Sequence, residues 1–131
     1  MLVLSDIYLV AQALAAELGA AWLDPNEALV APTDILVPAA LGGIFTEQSV
    51  PQLQCRAIVG PANNQLADES VADLLAQRGI LWAPDFVVNA GGVIFGVLVD
   101  AGGGDPAEAM VQVEAIGATL TEIFAIAART G

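Results

Sequence analysis

The segment WAPDFVVNAGGVI, residues 82–94, decides how the rest of the chain is interpreted. Its first residue ends an apolar stretch, residues 79–82, that is typical of a buried strand, and Pro84 ends that strand because proline cannot donate to a sheet. Asp85 is then placed to cap a following helix. Asn89 stands just before a glycine pair and has two interpretations. It is either a turn residue that bonds local backbone or an amide placed where glycines let a ligand approach closely.

A second apolar strand ends in three consecutive amides. It covers residues 57–60 and runs into the sequence GPANNQL, residues 60–66, in which Asn63, Asn64 and Gln65 are adjacent. Burying amides costs free energy unless they form hydrogen bonds. The three amides are therefore expected to form hydrogen bonds with a partner, and their presence strengthens the ligand interpretation of Asn89.

The rest of the chain alternates apolar strands with helices. Strands are expected at residues 1–6, 20–22, 34–38, 57–60 and 79–82, and helices at 7–18, from 24, from 46, at 67–78, 86–99 and 107–129. This alternation predicts an α/β fold with a parallel sheet. No internal repeat or low-complexity linker interrupts it.

The composition fits one small domain with a core of its own. The chain has 131 residues, of which 56% are hydrophobic, and its mean hydropathy is +0.71. A bilayer span needs a run of roughly 18–20 apolar residues; we find none, so no membrane partner is expected. Such apolarity indicates strands covered by helices on both faces, or surfaces that a missing partner normally buries.

The charged residues exclude several function classes. Fifteen acids against three arginines give a net charge of −12, which disfavours nucleic acid and anionic membranes as partners. Lysine and histidine do not occur, so we expect no histidine metal site and no catalytic residue of the Ser-His-Asp, Cys-His or lysine type. We interpret the single Cys55 as a small buried residue in a reducing compartment. The N-terminus has no signal-peptide organisation, so a cytoplasmic location is expected.

One glycine-rich segment needs a choice between two interpretations. Residues 101–107 formally fit a dinucleotide-binding pattern at Gly102, Gly104 and Ala107. Asp105 would however put a negative charge beside the phosphates. Because Asp-Pro is a good N-cap and first-turn pair, we interpret the segment as a loop between two helices.

Three motifs together resemble the nucleotide-binding domain of the glutamate, leucine, phenylalanine and valine dehydrogenase family, especially its leucine, valine and phenylalanine members. They are DILVPAALGG at residues 34–43, GPANNQL at 60–66 and LWAPDFVVNAGG at 81–92. They occur in the family's order with similar spacing, and the resemblance covers nearly the whole chain. It implies that residues 1–131 form a partial dinucleotide-binding domain.

The resemblance implies a partial Rossmann-like parallel sheet with flanking helices. The family's first strand and glycine-rich turn precede the strand that residues 1–6 resemble, as do its substrate domain and catalytic lysines, so these parts are expected to be missing. That first strand is central in the sheet. Without it, residues 1–6 and 35–37 would either stay about two strand spacings apart, roughly 9.6 Å, or pair directly.

The implied activity is reversible NAD-dependent oxidative deamination of a branched-chain or aromatic L-amino acid. We expect the isolated chain to be inactive, the amino acid to bind through a missing substrate domain, and the chain to self-associate or to pair with an intact homologue. A second hypothesis is a non-catalytic nucleotide-binding or regulatory module that pairs with a full-length dehydrogenase. A membrane-associated structural protein is a third, suggested only by hydropathy.

The resemblance also implies roles for individual residues. Asp6 would bind the adenosine ribose, although its position suits a helix N-cap equally well. The remaining assignments are Ala39 and Ala40 along the nicotinamide ribose, Asn63 on the nicotinamide side, and Asn89, Val93 and Gly96 facing the amino acid. This chain has Phe95-Gly96 where the family has a polar and an apolar residue, so the amino acid itself stays open.

Overall fold

Five short parallel strands alternate with helices in the computed structural model, which describes residues 1–130. The last residue of the predicted domain, Gly131, lies outside them. The strands are β1 (Val3–Leu4), β2 (Ala21–Trp22), β3 (Ile35–Leu36), β4 (Ala57–Ile58) and β5 (Leu81–Trp82). The helices are α1 (Ala11–Glu17), α2 (Pro25–Val30), α3 (Ser70–Gln77), α4 (Asp85–Val88), α5 (Ala90–Phe95), α6 (Pro106–Glu114) and α7 (Ile116–Thr130), with a 3₁₀ turn at Val50–Gln52 and a π-helix at Gly96–Ala101.

The strands form two separate parallel sheets. β1 pairs with β2, with Val3 opposite Ala21. The second sheet has the order β3-β4-β5, with Ala57 opposite Ile35 on one side and opposite Leu81 on the other. The predicted α/β class is confirmed. Of the two expected arrangements of the sheet, direct pairing of β1 with β3 is not found, so each of these strands keeps one unpaired edge.

The core lies under the second sheet, where α3 and the 3₁₀ turn cover it. Its fully buried members include Phe45, Leu53, Ile58, Val71 and Leu75. By contrast, β1 is only half-buried. The apolar composition of residues 1–6 predicts a short buried strand. That prediction is wrong, because β1 has a neighbour on only one side. Cys55, predicted to be buried, is also half-buried, and burial raises the pKa of its thiol.

Local capping explains where several helices begin. Asp24 accepts the Asn26 N–H at 3.1 Å at the start of α2. Asp105 accepts the Ala107 N–H at 2.8 Å at the start of α6, which confirms the helix–helix loop. The helix predicted from residue 7 starts only at Ala11, because residues 7–10 form a separate turn. The helix predicted at 86–99 is divided into α4, α5 and the π-helix.

The last two helices form one long helical segment, Pro106–Thr130, because Ala115 between them keeps a helical backbone. An 18-residue window of this 25-residue segment has a mean hydropathy of 1.4, so the segment is long and apolar enough to cross a membrane by length and composition, although no membrane is present. The segment is not a continuous apolar run, because Glu108, Glu114 and Glu122 interrupt it. Its hydropathy reaches that of a possible span only as an average over 18 residues, which the prediction from continuous apolar runs did not consider.

Candidate functional site

The carboxyl ends of β3, β4 and β5 carry three segments that meet at one edge of the second sheet. They are the loop 38–43 after β3, the loop 60–66 after β4, and residues 83–89, which lead into α4. Side chains that follow neighbouring parallel strands lie close together at such an edge, which is where ligands bind in open α/β sheets. The three motifs in the sequence are these three segments.

The first two loops touch through their backbones. A Cβ on Gly42 would overlap the carbonyl oxygens of Asn63 and Asn64. The Gly43 N–H donates to the Asn64 carbonyl at 2.7 Å. Asn64 itself has a φ of 51°, a left-handed conformation that asparagine tolerates better than most residues. The loop after β4 is therefore held in an unusual shape by the loop after β3.

The second loop and α4 are joined by a pair of side-chain amides. Asn89 Nδ2 donates to Asn63 Oδ1 at 2.6 Å and makes a longer contact of 3.4 Å with the Pro61 carbonyl. Asn89 ends α4, but both partners lie in another loop, so its side chain does not bond local backbone. Asn63 is exposed, so the pair faces solvent at the edge of the sheet.

Two cavities open on either side of Asn63 and Asn64, which line both. The first has a volume of about 520 Å³ and is lined by Ala40, Leu41, Gly42, Gly43, Asn63, Asn64, Leu66 and Ala67. The second has a volume of about 250 Å³ and is lined by Asn63, Asn64, Asp85, Phe86, Asn89, Ala90 and Val93. A ligand that reached the amide pair could therefore extend into both.

A third cavity lies beyond the carboxyl ends of β1 and β2. It has a volume of about 680 Å³, and its lining includes the carboxylates of Asp6, Asp24 and Glu27 together with Trp22. Asp6 Oδ1 accepts the Tyr8 N–H at 2.8 Å. This bond closes a turn ahead of α1. Asp6 does not cap that helix, whose N-cap is Val10, so the capping interpretation of Asp6 is wrong. Its carboxylate remains exposed.

A sequence model of the family described as Glutamate/Leucine/Phenylalanine/Valine dehydrogenase matches residues 9–101. The chain belongs to this family. The match includes all three segments at the edge of the second sheet. It confirms the resemblance seen in the three motifs.

Individual relatives support the same membership. The chain is 42% identical over 113 residues to a leucine dehydrogenase of Geobacillus stearothermophilus, covering 86% of this chain and 30% of that protein. It is 44% identical over 114 residues to an L-tryptophan dehydrogenase of Nostoc punctiforme, covering 86% of this chain and 32% of that protein. The chain thus spans about a third of the length of these relatives.

The fold is that of a dehydrogenase along its whole length. A crystal structure of L-tryptophan dehydrogenase from Nostoc punctiforme matches with a TM-score of 0.92 and 38% identity, covering 100% of this chain and 40% of that one. The helical segment Pro106–Thr130 therefore has a counterpart in a dehydrogenase chain.

The structure brings together four of the predicted site residues of this family member. Ala40 and Asn63 line the first cavity, and Asn63, Asn89 and Val93 line the second. Asp6 lies in the separate third cavity. Two predicted residues do not line these cavities: Ala39 is exposed beside Ala40, and Gly96 begins the π-helix after α5.

Two buried polar residues at this edge carried no site assignment in the sequence. They are Gln65, which is fully buried, and Asp85, which is 7% exposed. Asp85 was expected to cap α4; one of its carboxylate oxygens accepts the Phe86 N–H in the first turn of that helix at 2.8 Å. The other oxygen accepts the Gln65 N–H at 2.9 Å, a partner that the sequence did not indicate. The third amide of GPANNQL was the available signal, because an amide in an apolar setting must find partners.

Proposed function

We propose that this chain provides the NAD-binding part of an amino-acid dehydrogenase that carries out reversible oxidative deamination of a branched-chain or aromatic L-amino acid. The observation that carries the proposal is the Asn63–Asn89 amide pair, at 2.6 Å, between two cavities at the carboxyl edge of a parallel sheet. Family membership supplies the reaction class. The leucine and tryptophan named in the relatives support, for this chain, an amino acid with a large apolar side chain.

The residues present fit a dinucleotide in two places. The acidic cavity around Asp6 offers carboxylate acceptors for the hydroxyl groups of the adenosine ribose. The cavity around Ala40, Gly42 and Asn63 offers small side chains and accessible backbone, which suit close contact with the nicotinamide ribose and its carboxamide. When bound, NAD supplies the acceptor for the hydride that leaves the amino acid.

The amide pair is suited to orient two reactants. Because Asn89 Nδ2 is committed to Asn63 Oδ1, the Asn63 Nδ2 group remains available as a donor. The smaller cavity between Asn89, Phe86 and Val93 has the apolar walls that an amino-acid side chain needs. We propose that nicotinamide lies on the Asn63 side and the substrate on the Asn89 side, since hydride transfer requires both to be held in contact.

Proton transfer in this reaction needs groups from outside the chain. Deamination requires a base that works near neutral pH, and the chain has neither lysine nor histidine. We therefore propose that a substrate domain, carried by another part of the functional protein, supplies the base and a cation for the substrate carboxylate. The chain's own part is to bind and orient, in a cytoplasmic enzyme.

This proposal is tested by measuring the binding of each half of NAD by itself. Nicotinamide mononucleotide and adenosine monophosphate are titrated into the chain by ligand-observed NMR. Asn63→Ala and Asn89→Ala should weaken the binding of nicotinamide mononucleotide and leave the binding of adenosine monophosphate unchanged. Asp6→Ala should weaken only the binding of adenosine monophosphate. Gln48→Ala, which is remote from all three cavities, should change neither. If every variant lost affinity for both fragments equally, the assignment of the two halves of NAD to separate cavities would be contradicted.

A second candidate function is a non-catalytic regulatory module that pairs with a full-length dehydrogenase. The unpaired edges of β1 and β3 favour it, because free strand edges accept a strand from another chain. Co-expression with an intact relative and purification through a tag on this chain would test it. Recovery of a stable complex that binds NAD but gains no activity would favour the module over the enzyme part.

A further inference from the structure

Gln65 is the most completely bonded side chain at the functional edge. Its Nε2 donates to the carbonyls of Gly60 at 2.7 Å and Ala62 at 3.1 Å. Its Oε1 accepts the Trp82 indole N–H at 3.2 Å. Because only the NH₂ group can donate to carbonyls and only the oxygen can accept from an indole, these partners fix the orientation of the amide.

The main chain of Gln65 is bonded as fully as its side chain. Its N–H donates to Asp85 Oδ2 at 2.9 Å, and its carbonyl accepts the Phe45 N–H at 3.1 Å. The other Asp85 oxygen accepts the Phe86 N–H at 2.8 Å. Gln65 therefore joins the end of β4, the start of α4, β5 and the segment before the 3₁₀ turn.

These bonds connect the two amides of the pair through buried groups. Asn63 lies in the loop 60–66, in which Gln65 Nε2 bonds the carbonyl of Gly60 and that of Ala62 just before Asn63. Asn89 ends α4, and its N–H donates to the Asp85 carbonyl at 2.9 Å. Asp85 thus ties the helix that carries Asn89 to the loop that carries Asn63. Gln65 lines neither cavity at this edge, and Asp85, which lines the smaller one, is 7% exposed with both carboxylate oxygens already bonded within the chain.

We propose that the hydrogen-bond network of the buried Gln65 and Asp85 with the half-buried Trp82 is a positioning device that holds Asn63 against Asn89, so that the two amides meet a ligand as one preformed site. These three are positioning residues and act through the amide pair. The identity of the ligand rests on the proposed function, whereas the positioning does not. Fixing the pair before binding removes the cost of ordering two exposed side chains when a ligand arrives.

The network's partners predict which substitutions loosen the pair. Trp82→Phe keeps most of the ring and removes only the indole donor, which leaves Gln65 Oε1 buried without a partner. Gln65→Met keeps the length of the side chain and removes all of its side-chain hydrogen bonds. Gln54→Met is the matched control, because Gln54 Nε2 also donates to a carbonyl, that of Val30 at 3.1 Å, far from the site.

Selective ¹⁵N-asparagine labelling gives a direct readout, because the chain has four asparagines, Asn26, Asn63, Asn64 and Asn89. In Trp82→Phe and more strongly in Gln65→Met, the side-chain amide signals of Asn63 and Asn89 should move towards those of free asparagine and exchange faster with water. The Asn26 signal, in another part of the fold, should stay in place and report that the chain is folded. Gln54→Met should leave all four unchanged.

Ligand binding separates this inference from the proposed function. If the preformed pair binds nicotinamide, Gln65→Met should lower the affinity for nicotinamide mononucleotide by about ten-fold, roughly the contribution of one hydrogen bond. Moved Asn63 and Asn89 signals with unchanged binding would uphold the positioning and overturn the proposed use of the pair. Unmoved Asn63 and Asn89 signals in Trp82→Phe would overturn the positioning, whatever the binding result.

Discussion

Gly42 lies so close to Asn64 that a Cβ on Gly42 would be 2.6 Å from the Asn64 carbonyl oxygen. Real Cβ atoms do not approach backbone oxygens this closely, so any side chain at residue 42 must push the two loops apart. The loop after β4 carries Asn63 as well as Asn64. The position of the amide pair therefore depends on a residue in the preceding loop that never touches Asn89.

Gly42→Ala should accordingly damage both stability and binding. We expect a loss of about 1–3 kcal/mol in the free energy of unfolding, the usual cost of overpacking, together with weaker binding of nicotinamide mononucleotide. Denaturant unfolding and NMR titration measure the two effects. Gly117→Ala is the control: it has open space around its Cβ, lies in α7 and should stabilise by about 0.5–1 kcal/mol. If Gly42→Ala changed neither the free energy of unfolding nor the binding, the close contact between the two loops would be contradicted.

The preference of the chain for NAD over NADP should depend on the acidic cavity. Asp6, Asp24 and Glu27 line it, and none of its lining residues within the described part of the chain is basic. A 2′-phosphate there would meet only carboxylates and be repelled. Titration with adenosine monophosphate and its 2′-phosphorylated form should favour the first. Asp6→Asn should reduce the difference in affinity between the two ligands, whereas Asp73→Asn on α3 should not. If the unsubstituted chain bound both ligands with equal affinity, the role of Asp6 in binding the ribose would be contradicted.

Much of this site could be predicted from the sequence, because parallel strands place their carboxyl ends at one edge. The resemblance of the three motifs to the dehydrogenase family implied site roles for Ala40, Asn63, Asn89 and Val93, and the structure places these four residues along the two cavities at that edge. Burial was harder to foresee. β1 has the composition of a buried strand, but its exposure depends on which edges are paired, and no residue within β1 reports that.

The partners of buried polar groups were the other part that the sequence did not show. Asp85 beside Pro84 matches a helix cap in type and position, and one oxygen does bond the Phe86 N–H in the first turn, but the other bonds the N–H of Gln65, 20 residues away. Asn89 likewise matches a turn residue, yet it bonds Asn63, 26 residues away. Local patterns cannot distinguish a local from a distant acceptor, because the geometry of both depends on how the strands pack.

Self-association of the chain should run through its unpaired strand edges. Ile35 in β3 is 57% exposed, and an apolar edge strand without a neighbour tends to pair with another chain. Ile35→Lys should lower the apparent mass measured by sedimentation velocity across a concentration series. Ile126→Lys, at a 43% exposed residue of α7, makes the same chemical change away from the edges. If only Ile126→Lys reduces association, the contact lies on the helix instead.

Alkaline pH should destabilise the chain through Cys55. Burial raises the pKa of its thiol, so the folded state holds the thiol proton more tightly than the unfolded state does. As pH rises above the unfolded pKa, about 8.5, the unfolded state ionises first and the free energy of unfolding falls. In denaturant unfolding between pH 7 and pH 10, the free energy of unfolding should fall less in Cys55→Ala than in the unsubstituted chain. Identical pH profiles would remove this role for Cys55.

The isolated 131-residue chain should not oxidise amino acids. Deprotonation of a substrate ammonium and hydrolysis of the resulting imine need a group that exchanges protons near neutral pH, a task suited to a desolvated lysine or to histidine. The chain has neither. Its carboxylates could accept a proton but would repel the substrate carboxylate, and none of the residues that line the cavity beside Asn89 is a cation.

Absorbance at the NADH wavelength tests this directly. The purified chain mixed with NAD and leucine, valine, phenylalanine or tryptophan should give no signal above buffer, whether or not the NAD fragments bind. Adding a separately produced substrate domain of a relative, extended through its first strand and glycine-rich helix, should restore part of the activity, because a parallel strand could then pair with the free edges of β1 and β3. Asn89→Ala in the restored mixture should reduce turnover, since the substrate would lose an orienting amide. Robust turnover by the chain alone would require a base among its carboxylates and would overturn the division of roles between binding and proton transfer.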